Sequence, residues 1–171
     1  EVYVRDGIRG NHICALPVGC DTESFAPQAR TDPRVRAVRE RLGVADHELF
    51  ILTVGGDAAS KGGQEVMEAL ARLGKRVPPW RYVCKVWPQP RTTEQNAMDL
   101  ALAAKLGIAD RVEVATSINS RDFMPYLLAA CDIYAAPSRL EGFGMLQVEA
   151  GACGRPVVGI KAMGLLATII H

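Results

Sequence analysis

The chain has 171 residues, of which 49% are hydrophobic and 23% are charged, a composition typical of a soluble globular protein. This length predicts one domain with a hydrophobic core, and the composition excludes a disordered tail, a collagen-like chain and a coiled coil. Twenty Lys and Arg residues against nineteen Asp and Glu residues give a net charge of +1. Because no strong positive field is present, we expect no nucleic-acid partner.

The two ends of the chain indicate a piece of a larger protein. The sequence begins without Met and stops in the apolar segment Ile169, Ile170 and His171. No apolar run approaches the roughly 18–20 residues of a membrane helix, because charged residues interrupt the longest candidates, 127–137 and 143–153. The N-terminus does not resemble a signal peptide. Membrane contact through a part of the protein outside this chain stays open.

The cysteine pattern favours reduced thiols over disulfides or metal ligands. The five cysteines lack short paired spacings, which argues against a disulfide framework and against a zinc site. Four of them lie in apolar surroundings, so we expect buried, reduced thiols. Such thiols predict a cytoplasmic location. The three isolated histidines are interpreted as structural.

The first part of the chain is interpreted as a linker followed by a helix. Residues 13–17 predict a short strand, and Val18–Asp21 a turn after it. A helix is predicted from Pro33 to Leu42, because Asp32 can cap it, proline suits its first position and Gly43 can end it.

From about residue 45 the predicted elements alternate between strand and helix. Strands are predicted at 49–54, 81–86, 111–115, 132–136 and 156–160, and helices at 61–73, 93–106, 120–130 and 142–153. The alternation predicts an α/β, Rossmann-like fold, with a parallel sheet and helices on both faces. Because such sheets bind ligands at the carboxyl ends of their strands, residues 55–63, 115–120 and 137–149 are the candidate binding loops.

The loop from Gly55 to Gly63 has the composition of a phosphate-binding loop but matches neither common motif. A P-loop requires Gly-Lys-Ser/Thr, and the dinucleotide fingerprint requires Gly-x-Gly-x-x-Gly after the strand. Ser60 is predicted to cap the following helix, with Val66, Met67, Leu70 and Leu73 on its buried face. Lys61 would then lie in the first helical turn, where its charge opposes the helix dipole. An anionic ligand would explain that position, and a solvated surface lysine is the alternative.

Two carboxylates stand out in the loop from Pro137 to Glu149. Glu141 precedes the predicted helix, and Glu149 lies within it among apolar neighbours. A carboxylate in such a helix needs a partner, which is either a ligand or an arginine such as Arg139 or Arg155. Gly142 and Gly144 permit a close approach between backbone and ligand.

These motifs together resemble a known enzyme family. The sequence Ala-Pro-Ser-Arg-Leu-Glu-Gly-Phe-Gly-Met of residues 136–145, with Glu141 and Glu149 spaced as Glu-x7-Glu, is similar to the nucleotide-sugar-binding half of group 1 retaining glycosyltransferases. Residues 16–27, 60–62 and 106–112 match the family in order. The resemblance implies the C-terminal half of a GT-B enzyme, with residues 1–44 as interdomain linker strand and connecting helix and residues 45–171 as a C-terminally truncated donor-binding domain.

The resemblance also implies the role of each site residue. Lys61 would bind the donor diphosphate and stabilise charge on the leaving phosphate, Glu149 would bind the ribose hydroxyls, and Glu141 would help to hold the transferred sugar. Ser117 and Ile118 would line the base pocket through their main chain. The remaining donor contacts would come from Gly55, Gly56, Ser138, Arg139, Gly142, Phe143, Gly144 and Met145. The family implies no metal and no cofactor beyond the nucleotide sugar.

The sequence departs from the family pattern at the diphosphate site. Family members usually carry Arg where this chain has Gly56, so another cation could be recruited, with Lys85 and Arg91 as candidates. Because the acceptor half is missing, we expect this chain alone to be inactive. Two alternatives are a nucleotide-binding module without transferase activity and a non-transferase GT-B enzyme, either a nucleotide-sugar epimerase or a phosphorylase.

Overall fold

A computed structural model describes residues 5–14, 16, 18–88, 92–116 and 121–169 of the chain. Its centre is a sheet of five parallel strands in the order β3-β2-β1-β4-β5. The strands are β1 (Leu49–Gly55), β2 (Trp80–Val86), β3 (Val112–Ala115), β4 (Ile133–Ala135) and β5 (Val157–Val158). This order is the Rossmann type, and its topological switch point lies between β1 and β4. The predicted parallel α/β sheet is confirmed.

In the described part of the chain, five α-helices cover the two faces of the sheet. They are α1 (Pro33–Arg41), α2 (Gly63–Leu73), α3 (Thr92–Lys105), α4 (Met124–Ala130) and α5 (Met145–Ala152). One core cluster joins the sheet to α1, α4 and α5, and a second joins its other face to α2 and α3. Strand β1 lies between both clusters, which explains its uninterrupted apolar sequence.

Helix α1 is anchored to the amino-terminal edge of the sheet. Asp32 caps it by accepting a hydrogen bond of 2.8 Å from the backbone N–H of Arg34, as predicted. The side chain of Arg39 is only 4% exposed and donates to the carbonyl oxygens of Ala45 and Glu48, each at 2.9 Å. Arg39 also pairs with Asp132 at 3.3 Å, so α1 belongs to the same packed body as the sheet.

Several predicted boundaries are wrong, and glycine geometry explains two of them. Gly62 has a φ of +76°, so the α-helix begins at Gly63 and residues Ala59–Lys61 form a separate 3₁₀ turn. Ser60 therefore does not cap α2, and its backbone N–H bonds to Asp57 instead. Gly144 has a φ of +88°, so α5 begins at Met145 and not at Gly142.

Several predictions about strands and about burial are also wrong. The described residues Ile13, Cys14 and Leu16 are not in a strand. Leu73 is exposed, and three cysteines are buried, not four; these are Cys84, Cys131 and Cys153. The strands predicted at 132–136 and 156–160 shorten to β4 and β5. The helix predicted at 120–130 begins at Met124, with Pro125 in its first turn, and its predicted start at Ser120 lies outside the described residues.

Candidate functional site

Lys61 folds back over the carboxyl end of β1. A Cβ atom at Gly55 would overlap Cγ of Lys61, so only glycine lets the lysine stem cross this strand end. Lys61 lies in the 3₁₀ turn before α2, not in the first turn of the helix. The prediction that the charge of Lys61 opposes the dipole of α2 from within its first turn is therefore wrong. Its position is instead decided by packing against Gly55.

The ammonium group of Lys61 meets the carboxylate of Glu141. Lys61 Nζ lies 2.7 Å from Glu141 Oε2, and their side chains are 23% and 17% exposed, respectively. The two residues come from the loops after β1 and β4, which lead to helices on opposite faces of the sheet. This ion pair therefore lies at the topological switch point, where Rossmann-like sheets bind ligands. Lys61 is not the solvated surface lysine of the alternative interpretation.

Gly62 brings the two loops into contact. A Cβ atom at Gly62 would lie 2.6 Å from the carbonyl oxygen of Pro137 and 2.7 Å from its Cγ. Such distances are shorter than real Cβ contacts allow, so the approach of the two loops requires glycine here. Its left-handed backbone conformation, with φ +76°, imposes the same requirement.

Replacing Gly62 by alanine is expected to destabilise the fold by about 2–4 kcal/mol, because the clash adds to the cost of a left-handed alanine. The free energy of unfolding in urea measures this effect. Gly151→Ala is the matched control, since Gly151 lies in α5 and a Cβ atom there meets nothing within 4 Å. A Gly62→Ala protein as stable as the control would contradict the tight approach of the two loops.

The segment after β5 packs against the loop that carries Glu141 and hydrogen-bonds to it. The backbone N–H of Gly164 donates to the carbonyl oxygen of Glu141 at 3.2 Å, and a Cβ atom at Gly164 would overlap the carbonyl oxygen of Gly142. Leu165 is fully buried beneath Gly144, where a Cβ atom would lie 2.7 Å from Leu165 Cδ2. The sequence motifs assign no role to Gly164 or Leu165. The glycine after the last strand was the available signal.

Glu149 lines a cavity of about 650 Å³ beside the first turn of α5. The cavity lies between the linker and helices α4 and α5, and is lined by Gly19, Asp21, Glu23, Ser24, Phe25, Gln28, Arg34, Asp122, Pro125, Tyr126, Met145 and Glu149. Burial, followed by the negative charges of Glu149 and Asp21, raises the pKa of the Cys20 thiol. The linker thus places Cys20 close to Glu149.

The proposed arginine partners of Glu149 make other contacts. Arg139 is largely exposed and pairs with Glu65 at 2.6 Å. Arg155 donates to the carbonyl oxygens of Cys153 and Gln28, at 3.2 and 3.3 Å. These contacts weaken the interpretation of Glu149 as half of an internal ion pair with either arginine.

Most of the predicted site residues fall into two groups, and others lie apart from them or outside the described residues. Gly55, Lys61, Glu141 and Gly142 lie together at the switch point, and Ser138, at the start of the loop that carries Glu141, is buried. Met145 and Glu149 face the cavity on the α5 side. Arg139 points away to Glu65, and Ser117, Ile118 and Arg91 lie outside the described residues.

Residues 35–171 match the family model described as glycosyl transferases group 1. The chain belongs to the group 1 glycosyltransferases. A relative named D-inositol 3-phosphate glycosyltransferase from Xylanimonas cellulosilytica is 35% identical over 161 residues, which are 94% of this chain and 37% of the relative. A GDP-mannose-dependent mannosyltransferase of phosphatidylinositol monomannoside from Mycolicibacterium smegmatis is 32% identical over 91% of this chain and 40% of its own length. The chain thus spans about two fifths of these relatives.

Solved structures of glycosyltransferase type share the fold. HepE from Anabaena, in complex with UDP and glucose, superposes with a TM-score of 0.78 and 26% identity over 99% of this chain and 44% of HepE. The C-terminal domain of a group 1 glycosyltransferase from Francisella tularensis superposes with a TM-score of 0.70 and 24% identity over 90% of this chain and 76% of that domain. The Rossmann-like fold, predicted as that of one half of a GT-B glycosyltransferase, is confirmed.

Two features are absent from the part of this group 1 glycosyltransferase chain that the structure describes. No helix in that part has the length and apolarity needed to cross a membrane. No group of three or more His, Cys, Asp or Glu side chains there is arranged to hold a metal ion.

Proposed function

We propose that this chain is the donor-binding domain of a retaining glycosyltransferase that moves a sugar from a nucleoside diphosphate sugar to a hydroxyl group. The observation that carries the proposal is the Lys61–Glu141 contact at the switch point of the sheet. It joins two residues, eighty positions apart in the chain, that the family pattern assigns to one donor site. Residues 45–171 form the donor-binding domain in this proposal, with residues 1–44 as the linker and connecting helix.

Each charged residue has a chemical task in this proposal. The ammonium of Lys61 neutralises charge that develops on the leaving diphosphate, while Glu141 orients that ammonium and accepts hydrogen bonds from sugar hydroxyls. Glu149 accepts two hydrogen bonds from the ribose in the cavity of about 650 Å³. Backbone N–H groups at the start of α5 face the diphosphate, as helix N-termini do for anions.

The reaction proceeds with retention in this proposal. The bond between the anomeric carbon and the phosphate oxygen breaks, and the acceptor oxygen bonds to the same face of the sugar. The acceptor proton passes to the departing phosphate oxygen, so no protein nucleophile and no metal is required. The acceptor binds to another part of the protein, which is why this chain alone is expected to be inactive.

The comparisons support a nucleotide sugar as the ligand class. HepE binds UDP in its solved complex, and the mycobacterial relative is named as dependent on GDP-mannose. The names of these relatives favour transfer over epimerisation or phosphorolysis, and over nucleotide binding without catalysis. We further propose a cytoplasmic location, which places the domain where nucleotide sugars are made.

A thermal-shift titration with UDP, GDP and ADP tests the proposal. A ligand at about 100 times its dissociation constant adds roughly 2.7 kcal/mol of stability, which for a domain of this size raises Tm by roughly 5–10 °C. One nucleotide is expected to produce this shift in the wild-type chain, and Glu149→Ala to remove most of it. Glu68→Ala, an exposed position on α2, is the control and should retain the shift.

Two results would overturn the proposal. The first is that none of the three nucleotides stabilises the wild-type chain. The second is that Glu149→Ala and Glu68→Ala respond alike, because ribose binding at Glu149 would then be excluded. Product analysis with the full-length protein separates the transferase from its alternatives, since an epimerase releases an isomerised nucleotide sugar and a phosphorylase consumes inorganic phosphate.

A further inference from the structure

A fully buried lysine lies at the ligand-binding edge of the sheet. Lys85 is the penultimate residue of β2, and its partners in register are Val54 of β1 and Ala115 of β3. Both neighbours belong to the apolar core on the face of α1, α4 and α5. The Nζ atom of Lys85 has no hydrogen-bond partner among the described residues.

The indole of Trp87 covers this ammonium group. Lys85 Nζ lies 2.8 Å from the centroid of the Trp87 ring, and Trp87 itself remains 38% exposed. Burial lowers the pKa of Lys85 to about 8, so the group is still mostly protonated at neutral pH. A cation–π contact compensates only part of the lost hydration of an ammonium.

Core packing does not explain a lysine at this position. A buried ammonium without an oxygen acceptor destabilises a fold, and an aliphatic residue of similar volume packs at lower cost. The neighbours Val54 and Val86 are such residues and are buried. A charged group that lowers stability at a binding edge is the usual mark of a functional position.

The position of Lys85 connects it to the Lys61–Glu141 pair. Val86, the next residue on β2, pairs in register with Gly55, the residue over which Lys61 folds. Side chains alternate between the faces of a sheet, so Lys85 and the stem of Lys61 lie on opposite faces, at the ends of the adjacent strands β2 and β1. A diphosphate above this edge spans the distance between neighbouring strands.

Gly56 leaves room for a cation but supplies none. A Cβ atom at Gly56 meets nothing within 4 Å, so the position has space for a large side chain. Among the residues of the described strands that pair with the end of β1, Lys85 is the basic one; it pairs with Val54, next to Gly55.

We propose that Lys85 is a second cation for the donor diphosphate, and that Trp87 covers it until the diphosphate enters. This inference rests on the proposed function and names a residue that the family pattern does not. A phosphate oxygen replaces the indole face as the partner of Nζ, in a charge-assisted hydrogen bond that the buried ammonium otherwise lacks. Trp87, which is already 38% exposed, then moves further into the solvent.

Calorimetric titration tests the role of Lys85 by comparing how tightly the protein binds each nucleoside diphosphate and the corresponding nucleoside. The probes are UDP, GDP and ADP, each beside uridine, guanosine or adenosine. Lys85→Met is expected to weaken binding of the preferred diphosphate by about 10–100-fold, as expected for loss of a charged hydrogen bond, and to change nucleoside binding less than threefold. Lys105→Met, an exposed position at the end of α3, is the matched control and should bind both ligands as the wild type does.

A second variant tests whether Lys85 compensates for Gly56. Gly56→Arg is expected to tighten diphosphate binding, and in that background Lys85→Met should cost less than it does alone. Additive effects of the two changes would overturn the compensation, since independent sites add.

Tryptophan fluorescence of the wild-type chain keeps the proposal testable if Lys85→Met does not fold. The chain has two tryptophans; Trp80 is 2% exposed and Trp87 is 38% exposed. Displacement of Trp87 into solvent by the preferred diphosphate should shift the emission to longer wavelength, whereas the nucleoside should not. Equal spectra with both ligands, or equal loss of both ligands in Lys85→Met, would overturn the proposal.

The binding measurements distinguish a failure of the Lys85 proposal from a failure of the proposed function. If Glu149→Ala weakens nucleotide binding and Lys85→Met does not, only the role of Lys85 is overturned. If no nucleoside diphosphate binds the wild-type chain, both are overturned.

Discussion

Replacing Lys61 by methionine is expected to weaken nucleoside diphosphate binding by about 100-fold while nucleoside binding changes less than threefold. The substitution removes the ammonium that faces the diphosphate and leaves Glu141, which is 17% exposed, without its partner. The unpaired carboxylate then repels the ligand phosphates, so the loss is larger than that of one charged hydrogen bond. Calorimetric titration measures both affinities.

The pairing with Glu141 makes a further outcome testable in the same series. Adding Glu141→Gln to Lys61→Met removes the repelling charge, so the double variant should recover part of the lost diphosphate affinity. Gln keeps the size of Glu and can accept a hydrogen bond, which limits the structural change. A Lys61→Met protein that binds the diphosphate within threefold of the wild type would exclude Lys61 as a diphosphate ligand.

Replacing Asp132 by alanine is expected to lower the free energy of unfolding by about 3–5 kcal/mol, because it leaves a buried guanidinium unpaired. Asp132 accepts hydrogen bonds from Arg39 at 3.3 Å, from the backbone N–H of Phe50 at 2.8 Å and from Arg30. Arg39 is 4% exposed and has no other carboxylate among its hydrogen-bond partners in the described part of the chain. Urea denaturation monitored by circular dichroism measures the loss.

The location of Asp132 separates this effect from ligand binding. Asp132 precedes β4 at the amino-terminal edge of the sheet, opposite the Lys61–Glu141 pair. The folded Asp132→Ala protein should therefore bind nucleotide as the wild type does. Asp110→Ala is the control, since Asp110 is exposed and lies 3.8 Å from Arg111; its change should stay within about 0.5 kcal/mol. A loss below 1 kcal/mol for Asp132→Ala would contradict the anchoring of α1 through Arg39.

Local sequence patterns were enough to predict the sheet and most of its helices. The apolar run Leu49–Val54 and the glycines after four of the five helices predict alternating buried strands and covering helices, since hydrophobic period and helix-ending residues are properties of neighbouring positions. The Asp32 cap was predicted correctly for the same reason, because a cap bonds to residues only two positions away. The boundaries near Ser60 and Gly142 were wrong because φ at Gly62 and Gly144 depends on distant contacts with Pro137 and Leu165.

The site itself was predictable in composition but not in arrangement. The motif around Lys61 and Glu-x7-Glu singled out the residues, and a local pattern cannot state which of them touch. Arg139 stands beside Glu141 in the sequence but pairs with Glu65 on another helix. The support that Gly164 and Leu165 give to the Glu141 loop comes from residues more than twenty positions away from it.

The amino-acid sequence by itself determined the parallel α/β fold, the family and the chemical types at the binding edge, because these depend on periodicity and on motifs within one segment. Only the tertiary structure decided that Lys61 meets Glu141, that Glu149 faces a cavity lined in part by the linker, and that Lys85 is buried under Trp87. These contacts join segments far apart in the chain. The sheet register and the close glycine approaches bring them together, and both are properties of the packed molecule.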